Sequence, residues 1–206
     1  MISAALSLFL LRDLPLSAFE VPRRQTVGVL VVLGVLVGMS LASLTQDDGM
    51  PLMTIPQALL VGLGLNALLY GLVHGVLRWW LMRDGRWDGR GPLFNLLLAA
   101  GLVPNVLSAL LESLELPAGI AQPLGLVLAV YGLWVVTRAI ACAIPDAPPR
   151  YSLAGVALAS VSSVLVLLVV ATLATPLLVS QEGTALGGAP AGQQIFSCLL
   201  YTSPSP

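Results

Sequence analysis

Five long apolar stretches, 26–44, 55–77, 93–111, 120–140 and 152–179, are separated by short segments rich in charge, glycine or proline. Each is close to or above the roughly 20 residues that carry a helix across the hydrocarbon core of a bilayer. Strands are far shorter, so the pattern predicts an all-α polytopic membrane protein, a bundle of five transmembrane helices over 25–179. The last stretch is the longest, which predicts tilt or a frayed end near Pro176.

A shorter apolar run opens the chain within 1–24 and is interrupted by Arg12, Asp13 and Pro15. It lacks the basic n-region and small-residue cleavage site of a signal peptide. Leu6, Phe9, Leu10 and Leu14 recur at helical spacing. That spacing predicts an N-terminal interfacial amphipathic helix on the cytoplasmic leaflet or, equally, an extra contact helix packed on the bundle. At the other end, 180–197 reads as a flexible tail. The last nine residues, 198–206, have the look of a translated sequencing adapter, and are expected to be an artefact standing in place of the native C-terminus.

Charge placement gives the spans a direction. Arg12, Arg23 and Arg24 precede the first span, the connection after it has no arginine, and the next holds Arg78, Arg83, Arg86 and Arg90. The third connection again has none, and Arg138 and Arg150 flank the fourth. Basic residues mark the cytoplasmic side, so the N-terminus is expected inside and the C-terminus outside. All nine basic residues are arginine and none is lysine, which points to a GC-rich bacterial genome and thus to a bacterial cytoplasmic membrane.

Composition sharpens the class. Only 9% of residues are charged and 57% are hydrophobic, against roughly 25% charged in a soluble domain; the chain cannot cover itself in water. A net charge of -1 argues against a nucleic-acid partner. Two cysteines, Cys142 and Cys198, exclude a disulfide framework or four-cysteine metal site. The single histidine, His74, has no second histidine or cysteine at ligand spacing. No phosphate loop, nucleophile elbow or carboxylate pair within a span appears, so neither catalysis nor a bound cofactor or metal is expected.

Two sets of residues remain as candidates for function. Arg78–Arg90 packs four arginines and three of the four tryptophans into thirteen residues. These arginines are placed to meet anionic lipid headgroups or a protein partner, or they serve topology alone. The second set, Asn66, His74, Asn105 and Gln122, lies at membrane depth. Such residues line a polar pocket or tie helices together. His74 and Arg78 share one helix face, and Pro104 beside Asn105 is expected to kink the third span. Ser160, Ser162 and Ser163 add hydroxyls to the last span. The pairs Gly34/Gly38 and Gly71/Gly75 have the small-xxx-small spacing that admits a second helix, from this chain or another copy.

With LPLSAFEVP ahead of the first span and the basic, glycine-rich RWWLMRDGRWDGRGPLFN leading into a proline-containing third span, the layout resembles the Yip family of five-span membrane proteins. The resemblance covers about Leu10 to Val179. It implies a five-helix bundle and a non-enzymatic role as membrane organiser or adaptor, with lipids, another membrane protein or a second copy as partners. Eukaryotic members are implicated in Rab GTPase binding and vesicle traffic. The family's Asp-Leu-Tyr-Gly-Pro-type motif has no counterpart here, so no binding residue is carried over. The alternative class is a small transporter, channel or subunit of one, with Asn66, Asn105 and Gln122 along a path.

Overall fold

The computed structural model describes residues 1–43, 53–114 and 116–185, with the backbone alone at 118 and 173–185. The Asp47 and Asp48 connection, Glu115, residues 186–197 and the adapter-like end lie outside the described residues. Helix α1 spans Ile2–Phe9 and is followed by a 3-10 turn at Leu16–Phe19. Five long helices follow: α2 (Arg23–Ala42), α3 (Ile55–Arg83), α4 (Leu93–Ser113), α5 (Ala118–Ala143) and α6 (Pro149–Ala185). All five are long and apolar enough to cross a membrane. Large side chains such as Leu60, Leu126 and Leu165 stay exposed on them, which suits lipid as the solvent. The chain forms two compact units, Met1–Ser163 and Val164–Pro206; among the described residues the second is the continuation of α6. That helix runs through Pro176 to Ala185, into the expected tail.

Antiparallel packing of α2 on α3 is set by glycine. Gly34 and Gly38 face Gly62, Leu59 and Leu63 so closely that a Cβ at Gly34 would stand 2.9 Å from the Leu63 backbone. A Cβ at Gly62 would collide with the backbone of Gly38. Side-chain-free surfaces let backbones approach, and contact dispersion then holds the pair. The first small-xxx-small pair is thus used within the chain. Gly71 and Gly75, the second pair, face open space.

Contacts fix the register of the bundle. Thr26 meets Asn95 and Ser40 meets Glu112, so α2 and α4 run parallel. Trp80 meets Tyr151, which brings the end of α3 to the start of α6. One end of Met1–Ser163 therefore gathers the arginine-bearing segments, and the other gathers the far ends of α2 and α4 around Glu112. The buried core belongs to the arginine end. Leu77, Leu81, Leu93, Leu96, Leu97 and Ile140 are its centre, joined by Trp87 from the loop. The first half of α4 is buried through Ala100, whereas Asn105, Val106 and Leu110 further along are exposed.

Helix α1 adds to this core. Ala5 and Leu8 are buried, Phe9 stacks edge-on against Tyr131 at 5.1 Å, and the Tyr131 hydroxyl donates to the Phe9 carbonyl. Asp13 pairs with Arg138 at 3.3 Å. The helix is therefore a contact helix of the bundle, while Ile2, Leu6 and Leu10 form an exposed apolar row on its outer side. Of the helically spaced set Leu6, Phe9, Leu10 and Leu14, Leu6 and Leu10 are in that row, whereas Phe9 packs on Tyr131 and Leu14 against the core.

Pro104 lies inside α4 without ending it. A proline removes one backbone donor and crowds the preceding turn. Beside it, the Asn105 side-chain amide donates to the Gly101 carbonyl at 2.7 Å and to the Tyr70 hydroxyl at 3.4 Å. The asparagine's partners are thus a carbonyl of its own helix and a phenol from α3.

Candidate functional site

At the arginine end, α3 continues six residues past the last apolar position expected of its span, so Arg78 and Arg83 stand on helix rather than in a loop. Leu77 and Leu81 are buried and hold this extension against the core. Gly85, Gly89 and Gly91 then take positive φ values of 66°, 76° and 104°, a conformation that costs other residues steric strain. These turns fold the loop back on itself. Trp87 reaches into the core, while Trp79 remains exposed.

The four arginines of this segment divide into two kinds. Arg86 is half-buried: its guanidinium donates to the Asp146 carbonyl at 2.9 Å and lies over the Tyr151 ring at 4.4 Å from its centroid. It joins the α3–α4 loop to the α5–α6 connection. Arg78, Arg83 and Arg90 are exposed. Arg83 lies against Trp79 and Trp80 at 5.7 and 5.9 Å and is 3.9 Å from Asp84. Arg90 is 4.0 Å from Asp88, a carboxylate that also accepts from the Arg90 backbone N–H. Such exposed pairs are worth at most about 1 kcal/mol, so both guanidiniums stay available to a stronger anion. Arg90 also edges a cavity of about 550 Å³, together with Glu20, Arg86, Asp88 and Asp146.

The polar residues at membrane depth do not converge. Asn66 is buried and donates to the Leu30 carbonyl at 3.1 Å, which ties α3 to α2. The ring of His74 packs edge-on against Phe94 at 5.5 Å, and its Nδ1 is buried without a hydrogen-bond partner. Arg78, one turn on, points outward. Gln122 is exposed on α5. Ser160, Ser162 and Ser163 each donate to the carbonyl four residues earlier at 2.8–2.9 Å. Ser160 borders a cavity of about 200 Å³ and Asn105 a larger one.

That cavity, about 490 Å³, lies between α2 and α4 at the end opposite the arginines. Leu33, Leu36, Val37 and Leu41 form its apolar wall, with Asn105, Ser108 and Glu112 along one face of α4. The spacing of three and then four residues puts them in one row. The Ser40 hydroxyl crosses from α2 and donates to Glu112 Oε2 at 2.6 Å. Sequence reasoning missed Ser40, Ser108 and Glu112, because the glutamate was assigned to a loop. Its one signal was the Asn105 row, visible only once the helix is known to extend through Ser113. A second cleft of about 370 Å³, between α4 and α5, is lined by leucines, Val127 and Tyr131.

Among the described residues, no three of His, Cys, Asp and Glu gather in a way that would hold a metal ion. No family model matches the chain, and neither a curated protein nor a solved structure matches it.

Proposed function

We propose that this chain is a non-enzymatic, Yip-type organiser or adaptor of the bacterial cytoplasmic membrane. It acts through helix contacts and lipids, with its N-terminus in the cytoplasm and its C-terminus outside. The observation that supports this reading is the division of labour among the arginines. Arg86 holds the loop in shape, and Arg78, Arg83 and Arg90 are left exposed, Arg83 against Trp79. A fixed platform of three guanidiniums and an indole at a membrane surface suits anionic headgroups, each arginine adding roughly 1 kcal/mol. The same platform suits an acidic face of a membrane-protein partner or of a second copy.

The test is retention of phosphatidylglycerol and cardiolipin by the purified protein, read by native mass spectrometry. Replacing Arg78, Arg83 and Arg90 together by alanine should lower retention by at least about tenfold, as the loss of up to three such contacts implies. Arg86 stays in place so that the loop keeps its shape. Unchanged retention would leave these arginines as topology determinants only.

Transport is the second reading, and one observation favours it: Asn105 lines the cavity between α2 and α4. The other residues expected on a path are elsewhere, with Asn66 bound to Leu30 and Gln122 exposed on α5.

A further inference from the structure

The cleft between α2 and α4 holds a carboxylate with no cation beside it among the described residues. Glu112 stands in the last turn of α4, where the helix dipole already presents partial negative charge and disfavours an anion. Its described partner is the Ser40 hydroxyl, which supplies a hydrogen bond but no charge. The sequence has no lysine, and no arginine between Gln25 and Leu77, between Gly91 and Thr137, or after Arg150. Every basic side chain therefore belongs to the segments at the other end. Among the described residues no cation stands beside the exposed Glu112 carboxylate, so its charge is open to a cation from outside.

We infer that this cleft binds the primary ammonium headgroup of a phospholipid of the ethanolamine type, with Glu112 as its counter-ion. The residues fit the parts of such a molecule. An ammonium carries three N–H donors. Glu112 Oε1 and the Ser108 hydroxyl, one turn apart on α4, are the acceptors nearest each other in the row, and water can take the third N–H. Asn105 stands two turns from Glu112, its amide given to Gly101 and Tyr70. Leu33, Leu36, Val37 and Leu41 offer a wall for an acyl chain. The volume, about 490 Å³, lies in the range of small-molecule pockets. A divalent metal would want several oxygen anions, and the row has one carboxylate. A choline headgroup lacks N–H donors and forgoes the hydrogen bonds, and a glycerol headgroup lacks the cation.

Native mass spectrometry of the full chain, with phosphatidylethanolamine, phosphatidylcholine and phosphatidylglycerol of identical acyl chains, tests this. Phosphatidylethanolamine should be retained at least about fivefold over the other two, and Glu112→Gln should remove that preference, in keeping with one partly exposed charge pair. Ser108→Leu keeps the carboxylate but fills the cleft and should lose the lipid as well. This second variant decides the matter if Glu112→Gln fails to fold. The Arg78, Arg83 and Arg90 triple variant should keep the preference, so this site and the basic platform fail independently. Equal retention of the three lipids, or full retention by Glu112→Gln, overturns the inference. So does free ethanolamine raising the unfolding temperature of delipidated protein as far as the lipid does, because the occupant would then be a soluble amine.

Discussion

Trp80 and Tyr151 exchange hydrogen bonds with each other's backbone. The indole N–H donates to the Tyr151 carbonyl at 3.3 Å, and the phenol O–H donates to the Trp80 carbonyl at 2.6 Å. Their rings stack 5.2 Å apart at 28°. The Trp80 carbonyl is among the last four of α3, which have no partner within their helix. Tyr151 therefore caps α3 from the start of α6. Tyr151→Phe keeps the stack and deletes the cap, so it should cost about 1 kcal/mol, seen as a lowered unfolding midpoint in detergent. An unchanged midpoint would mean that water caps α3 equally well.

The guanidinium of Arg86 covers the same ring. Arg86→Ala loses that contact, worth about 0.5–1 kcal/mol at an exposed site, together with the hydrogen bond to Asp146. Arg86→Lys should recover little, because an ammonium lacks the planar fork that stacks and donates at once. Arg83→Ala removes longer contacts, 5.7 and 5.9 Å from Trp79 and Trp80, and no hydrogen bond to another segment, so it should cost less than Arg86→Ala. Equal losses for Arg83→Ala and Arg86→Ala would remove the distinction between holding and exposed arginines.

The glycines give a cleaner contrast, since the same substitution should have opposite signs at two sites on one helix. Gly62→Ala drives a methyl into the Gly38 backbone and should destabilise by about 1–3 kcal/mol, the usual cost of overpacking. Gly71→Ala meets nothing and should be neutral or gain up to about 1 kcal/mol from helix propensity. Resistance of the two variants to unfolding by a harsh detergent would measure this. Similar behaviour of both would show that α2 does not lie on α3 as described.

Apolar length made the five helices legible, because it is a property of the chain itself. What it could not reveal was pairing. Gly34 and Gly38 announce a close helix contact, yet nothing local says that the partner is Gly62. Span limits were drawn at the first charge, so Arg78 and Arg83 were assigned to a loop. Backbone hydrogen bonding continues regardless of polarity while Leu77 and Leu81 have a core to enter. Composition alone places tryptophans near an interface, but in the loop turned by three positive-φ glycines Trp87 is buried in the core. Ser40 and Glu112 are 72 residues apart, and only the parallel register of α2 and α4 brings them together.

Accessibility separates the two asparagines and tests the expected topology in one experiment. Asn66 is 6% exposed and spends its amide on the Leu30 carbonyl, whereas Asn105 borders the cleft that also holds Glu112. With Cys142 and Cys198 replaced by serine, Asn105→Cys should react with an impermeant maleimide added to intact cells. Asn66→Cys should stay unlabelled until the protein is denatured. The Asp47 and Glu115 connections, similarly substituted, should react from outside and Arg83→Cys only after the cells are opened, because arginine-rich segments remain in the cytoplasm. Labelling at both asparagines would mean that water passes between α2 and α3, and would bring the transport reading to the front. Labelling of Arg83→Cys but neither acidic connection in intact cells would invert the protein in the membrane and place the Glu112 cleft in the cytoplasmic leaflet.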